Sequence, residues 1–537
     1  MKIGHHLLNL GSRKQNSILS ASLVLGVTFG LSALLGLFRS KFLYAYFFNC
    51  CVLQLDAYNA AFRLPDLIFK LLVTGALSAS FIPVFSSYLH KDERMANKIA
   101  STIINLLLLV FIVISVIVFI FAPFFNSIIA AGFSAEQITL MTELTRILLF
   151  AQIFFLISNF FTAILQVHQI FIVPSLSPIV YNLAIIVSIF TLAPIFGIYG
   201  IAYGAVIGAI LHFGIQLPFI KGTGFNYAIV INRNLSGVKE VIRLMFPRTL
   251  SLGLGEIENT ITLFFASSLS AGSISLLNLA MQIMYLPSRI FGTTIGQASL
   301  PILSKNIARN EIDLFRNTVR KTILQSLFIA VPLTTLLLVH RVAIIRLAFG
   351  AREFPWSATL ITAKTLAYLT PAIVAQAVIQ ILVRAFYALH DTKTPLRISF
   401  ISLIANIGTA FFFINYTDLG ILGLALSASV GNIVQCLGLL IIFIRVIDGT
   451  GWLKTLLNFV KILFASVLMG LSTWLSLRVF DLFVFDTSKT LPLLILFCFT
   501  SVVGLTVFIL SANLFQVEEI TDYQKYLNRV KAFIAKK

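Results

Sequence analysis

Charged residues are scarce in this chain of 537 residues. Only 11% of the sequence is Asp, Glu, Lys or Arg, whereas a soluble globular protein carries about 25%. Hydrophobic residues make up 58%, and the mean hydropathy is +0.98. This composition excludes a soluble globular domain. It predicts an all-α polytopic membrane protein, because apolar segments of about 20 residues cross the bilayer as helices.

Acidic residues are the scarcer charged class, with 20 Asp and Glu against 39 Lys and Arg, for a net charge of +19. No aromatic-interleaved basic patch and no nucleic-acid-binding motif accompanies this excess, so we expect no nucleic-acid partner. The excess is typical of membrane proteins, whose cytoplasmic loops are enriched in Lys and Arg.

Cysteines and catalytic motifs are also few. The four cysteines, Cys50, Cys51, Cys436 and Cys498, show no metal-ligand spacing and no disulfide framework, which predicts buried free thiols and no metal site. The sequence has no metal-binding HExxH motif, no phosphate-binding Walker loop and no GxSxG nucleophile elbow. We therefore predict that the chain is not an enzyme.

Long apolar segments predict about fourteen transmembrane helices. These segments lie near 17–38, 56–88, 100–125, 144–166, 174–194, 198–220, 240–269, 273–303, 318–342, 358–388, 395–414, 419–446, 456–480 and 489–513. Lys and Arg concentrate in alternate connections, which predicts that both termini are cytoplasmic. Arg341, Arg346 and Arg352 depart from this alternation, and they are either a headgroup-contacting feature or a sign of a local miscount.

A weak internal repeat divides the chain. Residues 83–93 are similar to 301–311, and 165–168 are similar to 388–390, at an offset of about 220 residues. A unit of that length holds six predicted spans, an even number, so both copies run through the membrane in the same direction. This pattern predicts two six-helix lobes related by a parallel repeat, with the substrate site at their interface, and two additional C-terminal helices. The predicted domains are 1–225, 226–450 and 451–537.

The stretch from Leu35 to Leu89 is apolar enough to lie in a bilayer, yet it is charged. Its charged residues include Arg39, Asp56, Arg63, Asp66 and Lys70. A charge at bilayer depth is costly and normally faces a protein interior or a watery cavity. We interpret these five as the lining of a polar chamber with one net positive charge, suited to an anion. The alternative is that Arg39 and Asp56 lie at helix ends in the headgroup layer.

Two glutamates occur in the span predicted at 240–269. Glu256 and Asn259 are three residues apart and share a helical face, whereas Glu258 points elsewhere. One of the two glutamates is a candidate partner for Arg39 or Arg63, because an unpaired buried carboxylate is costly.

Several motifs occur in order along nearly the whole chain. They are LGLFRS at 35–40, LDAYNAAFRLPD at 55–66, QVHQIFIVPSLSP at 166–178, PRTL at 247–250 and RAFYALHDTKTP at 384–395. Together they resemble the MurJ (MviN-type) family, the lipid II flippases of peptidoglycan synthesis. The resemblance implies two six-helix lobes of the multidrug/oligosaccharidyl-lipid/polysaccharide exporter type. It also implies that the two C-terminal helices form a lipid-facing groove for a polyprenyl tail.

The function that the resemblance implies is translocation of an undecaprenyl-diphosphate-linked cell-wall precursor, lipid II, across the bacterial inner membrane by alternating access. The expected partners are this precursor, membrane lipids and the cell-wall synthesis machinery. No cofactor is expected; the membrane potential is the expected energy source, and Na⁺ is a candidate coupling ion.

The resemblance also implies site residues. Arg39 and Arg63 match positions expected to attract the diphosphate, and Asp56 matches an acidic position expected to balance charge and contribute to gating. Departures from the family pattern at Ala33, Ser40, Phe69 and Gln282 predict a less cationic chamber. The predicted substrate-binding residues are Arg39, Asp56, Arg63, Lys70, Arg248 and Gln282. Candidates for a coupling ion or charge pair are Glu256, Glu258, Asn259 and Asn406, and Lys364 is a candidate for the lipid groove.

Other functions stay open at this point. A flippase of the same fold for another lipid-linked oligosaccharide is the nearest alternative. A membrane glycosyltransferase would need paired catalytic acids on a loop, and most predicted loops here are short. A cell-wall scaffold without transport would leave the intramembrane charges unexplained.

Overall fold

The computed structural model describes residues 18–74, 77–287, 294–350, 354–447 and 451–520. All regular structure in these ranges is helical, and none of the described residues forms a β-strand. The first helices are α1 (Ile18–Ala61), α2 (Arg63–Phe69), α3 (Ile82–Leu89), α4 (Glu93–Ile129), α5 (Ala135–Val167), α6 (Ile172–Thr191), α7 (Ala193–Phe196), α8 (Ile198–Gly214), α9 (Leu217–Lys221) and α10 (Ser236–Ser267). They are followed by α11 (Ser273–Pro287), α12 (Thr294–Ala308), α13 (Ile312–Val339), α14 (Arg341–Phe349), α15 (Trp356–Ala388), α16 (Lys393–Tyr416), α17 (Ile421–Ile447), α18 (Trp452–Phe483) and α19 (Thr490–Leu514).

Ten membrane-spanning candidates, among the described residues, are long and apolar enough to cross a bilayer. They are α4, α5, α6, the continuous segment of α8 and α9, α13, α15, α16, α17, α18 and α19. The all-helical, multi-pass prediction is therefore confirmed. The other four predicted spans fall on α1, the interrupted segment around α2 and α3, α10, and the α11–α12 pair, so the number fourteen stays a prediction.

Helix α1 extends well beyond the predicted end of the first span at residue 38. The helix continues to a break at Cys51, where φ is −148° and ψ is 41°. Arg39 therefore lies inside a helix rather than at its end. Asp56 lies in the short helical portion that follows the break.

The cysteines differ from the prediction of buried free thiols. Cys50 and Cys51 are neighbours at the break in α1, and Cys50 is exposed. Cys498 is an exposed free thiol, and Cys436 is a half-buried one.

The segment after the break is interrupted between α2 and α3. Wide π-helical turns occupy Lys70–Thr74 and Leu77–Phe81, and Pro83 lies in the first turn of α3. Such turns leave the regular ladder of hydrogen bonds, and they occur frequently at functional sites. The interruption gives α2 its own short axis, on which the charged side chains described below are placed.

Contacts divide the chain into two units. The first comprises residues 1–275 with 351–354, and the second comprises 276–350 with 355–537. In the first unit, α6 packs on α1 and α8, and α5 packs on α4 and α8. The close approach of α8 to α6 needs small residues, since a Cβ at Gly204 would collide with Ser188, as in small-xxx-small packing.

The second unit has its own apolar core. Helix α15 packs on α13 and α17, while α18 packs on α13 and α19. Phe386 of α15, Ile462 and Met469 of α18, and Phe508 of α19 are all buried in one cluster. The C-terminal pair of helices is thus anchored to α13. The predicted lobe boundaries and the lipid-facing groove stay predictions.

Asp391 caps the start of α16. Its Oδ1 accepts hydrogen bonds from the backbone amides of Lys393 and Thr394, each at 3.0 Å. Partial burial alone would raise the pKa of Asp391, but the bonds from the side chain and amide of Thr394 and the amide of Lys393 outweigh it and lower this pKa below its ordinary value.

Candidate functional site

Arg63 and Glu256 form the central ion pair of the candidate site. Arg63 is the first residue of α2, and Glu256 lies on α10. Arg63 Nη2 is 2.5 Å from Glu256 Oε2 and 2.7 Å from the Glu256 carbonyl oxygen, and Arg63 Nε donates to Thr260 Oγ1 at 2.9 Å. The side chains of Arg63 and Glu256 are 10% and 13% exposed. Glu256 is therefore a counterion of Arg63, which is one of the pairings considered from the sequence.

Lys70 and Asp66 extend the same cluster. Residues 63, 66 and 70 are spaced three and four apart along α2 and its continuation, so they share a face. Lys70 Nζ lies 3.3 Å from Glu256 Oε1, and Asp66 Oδ1 accepts a hydrogen bond of 2.9 Å from Gln152 Nε2 on α5. With Arg63 and Lys70 positive and Asp66 and Glu256 negative, the formal charge of this cluster, named here the Arg63 cluster, is zero.

The predicted chamber with one net positive charge comprises a different set of residues, since the Arg63 cluster lacks Arg39 and Asp56 and includes Glu256, so the charge of the chamber stays a prediction. The prediction counted Asp56 among the local charges but omitted Glu256, which is almost 200 residues away in the sequence. Gln152 and Thr260 were missed as well. The sequence signal for Gln152 was an amide side chain inside an otherwise apolar span. The signal for Thr260 was its position one helical turn after Glu256.

Asp56 belongs to a separate polar site. Its Oδ2 accepts from the Gly272 amide at 2.6 Å, and its Oδ1 accepts from the amide and hydroxyl of Ser275 at 2.9 and 2.6 Å. Ser275 lies in the first turn of α11, where free amide groups and the helix dipole favour a negative charge. Asn59 Nδ2 also donates to Ser275 Oγ at 3.0 Å, and Tyr44 donates to the Ser275 carbonyl at 3.1 Å. We call this arrangement the Asp56 latch, because it fastens α1 to the start of α11.

Hydrogen-bond donors, rather than a cation, surround the carboxylate of Asp56. Among the described residues, Asp56 forms no ion pair, and its carboxylate is 3% exposed and satisfied by backbone and hydroxyl donors. The carboxylate of Asp56 is therefore not paired with Arg39 in this structure. The sequence could not indicate this, because the donors come from a turn more than 200 residues away.

Arg39 is half-buried in the middle of α1. Its charge interacts with the phenol groups of Tyr58 and Tyr181, both of which are buried or half-buried on α1 and α6. No ion pair involving Arg39 is formed with another described residue. Among the described residues, Arg39 therefore has no carboxylate partner, whereas Arg63 is neutralised by Glu256.

The remaining predicted residues differ in their exposure. Glu258 and Asn259 are half-buried on α10, but neither shares the ion pair of Glu256. The side chain of Arg248 lies outside the described residues. In the second unit, Gln282 is half-buried on α11, Asn406 is buried on α16, and Lys364 is exposed on α15.

Two arginines of the predicted cluster, Arg341 and Arg346, lie in the first and last turns of α14. The Nη1 of Arg341 donates to the Leu338 carbonyl at 2.7 Å, and the guanidinium of Arg346 lies over the ring of Trp356, 5.9 Å from its centroid. Arg352 is outside the described residues. No group of three or more potential metal ligands occurs in the part of the chain that the structure describes.

The arrangement can exchange one anion for another. A carboxylate holds two cationic side chains, and a diphosphate offers the same charge-assisted hydrogen bonds with more oxygen acceptors. Nothing in the Arg63 cluster supplies a nucleophile with an adjacent base. The chemistry that these side chains support is therefore binding of an anionic group.

Comparisons with known proteins agree with this interpretation. The family model described as lipid II flippase MurJ matches residues 45–493. A probable lipid II flippase MurJ of Bdellovibrio bacteriovorus is 29% identical over 508 residues, covering 92% of this chain and 94% of that protein. A probable lipid II flippase MurJ of Rickettsia prowazekii is 30% identical over 400 residues, covering 73% and 77% of the two chains.

Solved structures give the same result for the fold. The structure of a lipid II flippase MurJ in an inward closed conformation superposes with a TM-score of 0.76 at 25% identity, covering 93% of this chain and all of that one. An inward-facing multidrug resistance MATE family transporter superposes with a TM-score of 0.63 at 15% identity, covering 77% and 94% of the two chains.

Proposed function

Since the chain belongs to the MurJ family of lipid II flippases, we propose that it moves lipid II across the bacterial inner membrane. The observation that supports this function best is the Arg63 cluster. Two cations at bilayer depth are held by one carboxylate, which a diphosphate can replace. A buried cation without a counterion would be costly, so an anion must occupy the cluster in every state.

The proposed cycle is an exchange of anions. In the empty protein, Glu256 neutralises Arg63 and Lys70. When the diphosphate of the substrate arrives, it takes over these cations with the help of Arg39, and Glu256 is displaced. When Glu256 returns, the diphosphate leaves. The exchange lets the Arg63 cluster face each side of the membrane in turn without exposing bare cations to the apolar interior.

The Asp56 latch supplies a gate in this proposal. Its hydrogen bonds fix α1 to the start of α11 and must break if these two segments separate. Hydrogen bonds to a charged group contribute about 1.5–3 kcal/mol each. The latch therefore stabilises one conformation by several kcal/mol, enough to make opening depend on substrate binding.

The membrane potential is the energy source that we propose, with both termini on the cytoplasmic side. Moving one charge across 100 mV is worth about 2.3 kcal/mol. We also propose Na⁺ as a coupling ion and the cell-wall synthesis machinery as a partner. Reporter fusions at each terminus test the topology, because a cytoplasmic terminus keeps a periplasm-dependent reporter inactive.

Liposomes containing the purified protein and fluorescent lipid II test the function directly. We expect flipping by the wild type, stimulation by an imposed potential, and a rate at least ~10-fold lower for Arg63→Ala, which loses charge-assisted hydrogen bonds to the diphosphate. Arg94→Ala is the matched control, since Arg94 is exposed at the start of α4. Transport of another undecaprenyl-diphosphate oligosaccharide in place of lipid II would show that the substrate assignment is wrong.

A further inference from the structure

The connection between α9 and α10 is held against α4. Residues 222–235, named here the linker, form neither a helix nor a strand. Ser101 Oγ of α4 accepts a hydrogen bond from the Ala228 amide at 3.1 Å. Asn105 Nδ2 of α4 donates to the carbonyl oxygens of Ala228 and Val230 at 2.9 and 3.0 Å. The backbone of the linker is therefore turned toward α4.

Apolar side chains of the linker remain uncovered. Ile229 is 93% exposed, and no large apolar side chain among the described residues is more exposed. Its neighbours Tyr227, Val230 and Ile231 are 49%, 39% and 47% exposed. Single exposed apolar residues are ordinary at a protein surface. Here they lie within a few consecutive positions, so they form one apolar patch.

This patch continues onto an exposed apolar face of α4. Leu109 follows Asn105 by one helical turn, about 6 Å, and Ile112 and Val116 lie on the same face at spacings of three and four. These three side chains are 47%, 40% and 52% exposed. Helix α4 is one of the ten membrane-spanning candidates, and an exposed apolar face on such a helix contacts the acyl chains of lipids. The contact of the linker with α4 therefore ends where a lipid-facing surface begins.

The apolar patch is flanked by basic residues. Lys221 precedes the linker and Arg233 lies near its end; both are exposed, and the residues between them carry no charge. Apolar and aromatic side chains flanked by Lys and Arg are typical of segments at a membrane interface, where the apolar groups enter the acyl region and the basic groups reach the phosphates. A lipid surface therefore fits both the patch and its flanking cations. A protein partner on the same patch would have to displace lipid from the adjoining face of α4.

We propose that the linker is a membrane anchor. Ile229 and Ile231 enter the lipid bilayer beside α4, and the flanking basic residues contact lipid phosphates. The linker leads directly into α10, so the anchor holds the start of that helix at the membrane surface. The anchor is independent of the Arg63 cluster and of the flipping activity, because it uses only the outer surface of the first unit.

The test uses the full-length protein in nanodiscs of phosphatidylcholine and phosphatidylglycerol, with the photoreactive amino acid benzoylphenylalanine in place of one residue at a time. The positions are Ile229, Ile231 and, as the matched control, Asn234, which is exposed in the same linker beyond Arg233. After irradiation, mass spectrometry measures the fraction of the protein that carries a covalently attached phospholipid. We expect this fraction to be at least ~5-fold higher at positions 229 and 231 than at position 234, because only the apolar side chains enter the acyl region.

An added charge provides a second measurement. With the photoreactive residue at position 231, Ile229→Asp should lower the labelled fraction at least ~3-fold, because a carboxylate among acyl chains is costly. Asn234→Asp adds the same charge outside the patch and should leave the fraction unchanged.

Three results would overturn the proposal. The first is equal labelling at positions 229 and 234, and the second is unchanged labelling at position 231 in Ile229→Asp, in each case with variants that melt at the wild-type temperature. The third is a protein adduct instead of a phospholipid adduct at position 229 in intact membranes, since the occupant of the patch would then be another protein.

Discussion

Replacing Glu256 with Gln tests the exchange of anions at the Arg63 cluster. The substitution keeps the size and shape of the side chain and removes only its charge. In the wild type, the Glu256 carboxylate lies 2.5 Å from Arg63 and 3.3 Å from Lys70. If the substrate diphosphate competes with this carboxylate, a neutral amide will compete less well.

The magnitude follows from the two contacts. A hydrogen bond to a charged group contributes about 1.5–3 kcal/mol and a neutral one about 0.5–1.5 kcal/mol, so the Arg63 contact weakens by about 1–2 kcal/mol. Lys70 is 41% exposed, and its share is small because solvent screens exposed pairs. Removing about 1–2 kcal/mol of competition predicts diphosphate binding that is about 5–30-fold tighter.

Binding of lipid II to the protein in nanodiscs, with flipping measured in parallel in liposomes, provides the assay. Glu256→Gln should bind more tightly and flip more slowly at saturation, because tighter binding of the substrate without a matching gain in the transition state slows its release. Glu258→Gln is the matched control, because it makes the same change two residues away on α10 outside the ion pair. Unchanged or weaker binding in Glu256→Gln, or an equal gain in Glu258→Gln, would refute the exchange.

Further predictions concern the latch, a helix cap and a helix contact. Asp56→Asn places a side-chain NH2 group opposite the backbone N–H of Gly272, and this N–H then loses its acceptor at a cost of about 1–3 kcal/mol. Hydrogen exchange at the Gly272 amide should accelerate by about 5-fold or more. Unchanged protection of this amide would contradict the latch. Asp391→Ala should destabilise the start of α16 by about 1 kcal/mol. Because the pKa of Asp391 is lowered, the stabilisation by its carboxylate is present above about pH 4 and is lost as the pH falls through the lowered pKa. The difference in melting temperature between the variant and the wild type should therefore vanish in strong acid. Gly204→Val should cost about 1–3 kcal/mol by overpacking, measured by thermal unfolding in detergent, whereas Gly214→Val should cost less because a Cβ there meets nothing within 4 Å.

The sequence alone determined the fold class and the importance of residues 35–89. Apolar segments long enough to span a bilayer must form helices, because backbone groups have no water to bind there. Charges in such segments must face protein or water, which was sufficient to select Arg39, Asp56, Arg63 and Lys70. These inferences need only local composition, so they do not depend on tertiary contacts.

Tertiary structure determined which charged side chains pair with each other. Glu256 lies on α10 and reaches Arg63 at the start of α2, because α10 packs on the wide π-helical turns that follow α2. Asp56 binds the start of α11 rather than an arginine, because free helix amides lie within reach of it. Arg146 on α5 donates to the Phe119 carbonyl on α4, a contact that only the packing of α4 on α5 defines. Pairings between residues far apart in the chain are determined by packing, and local sequence patterns do not indicate them.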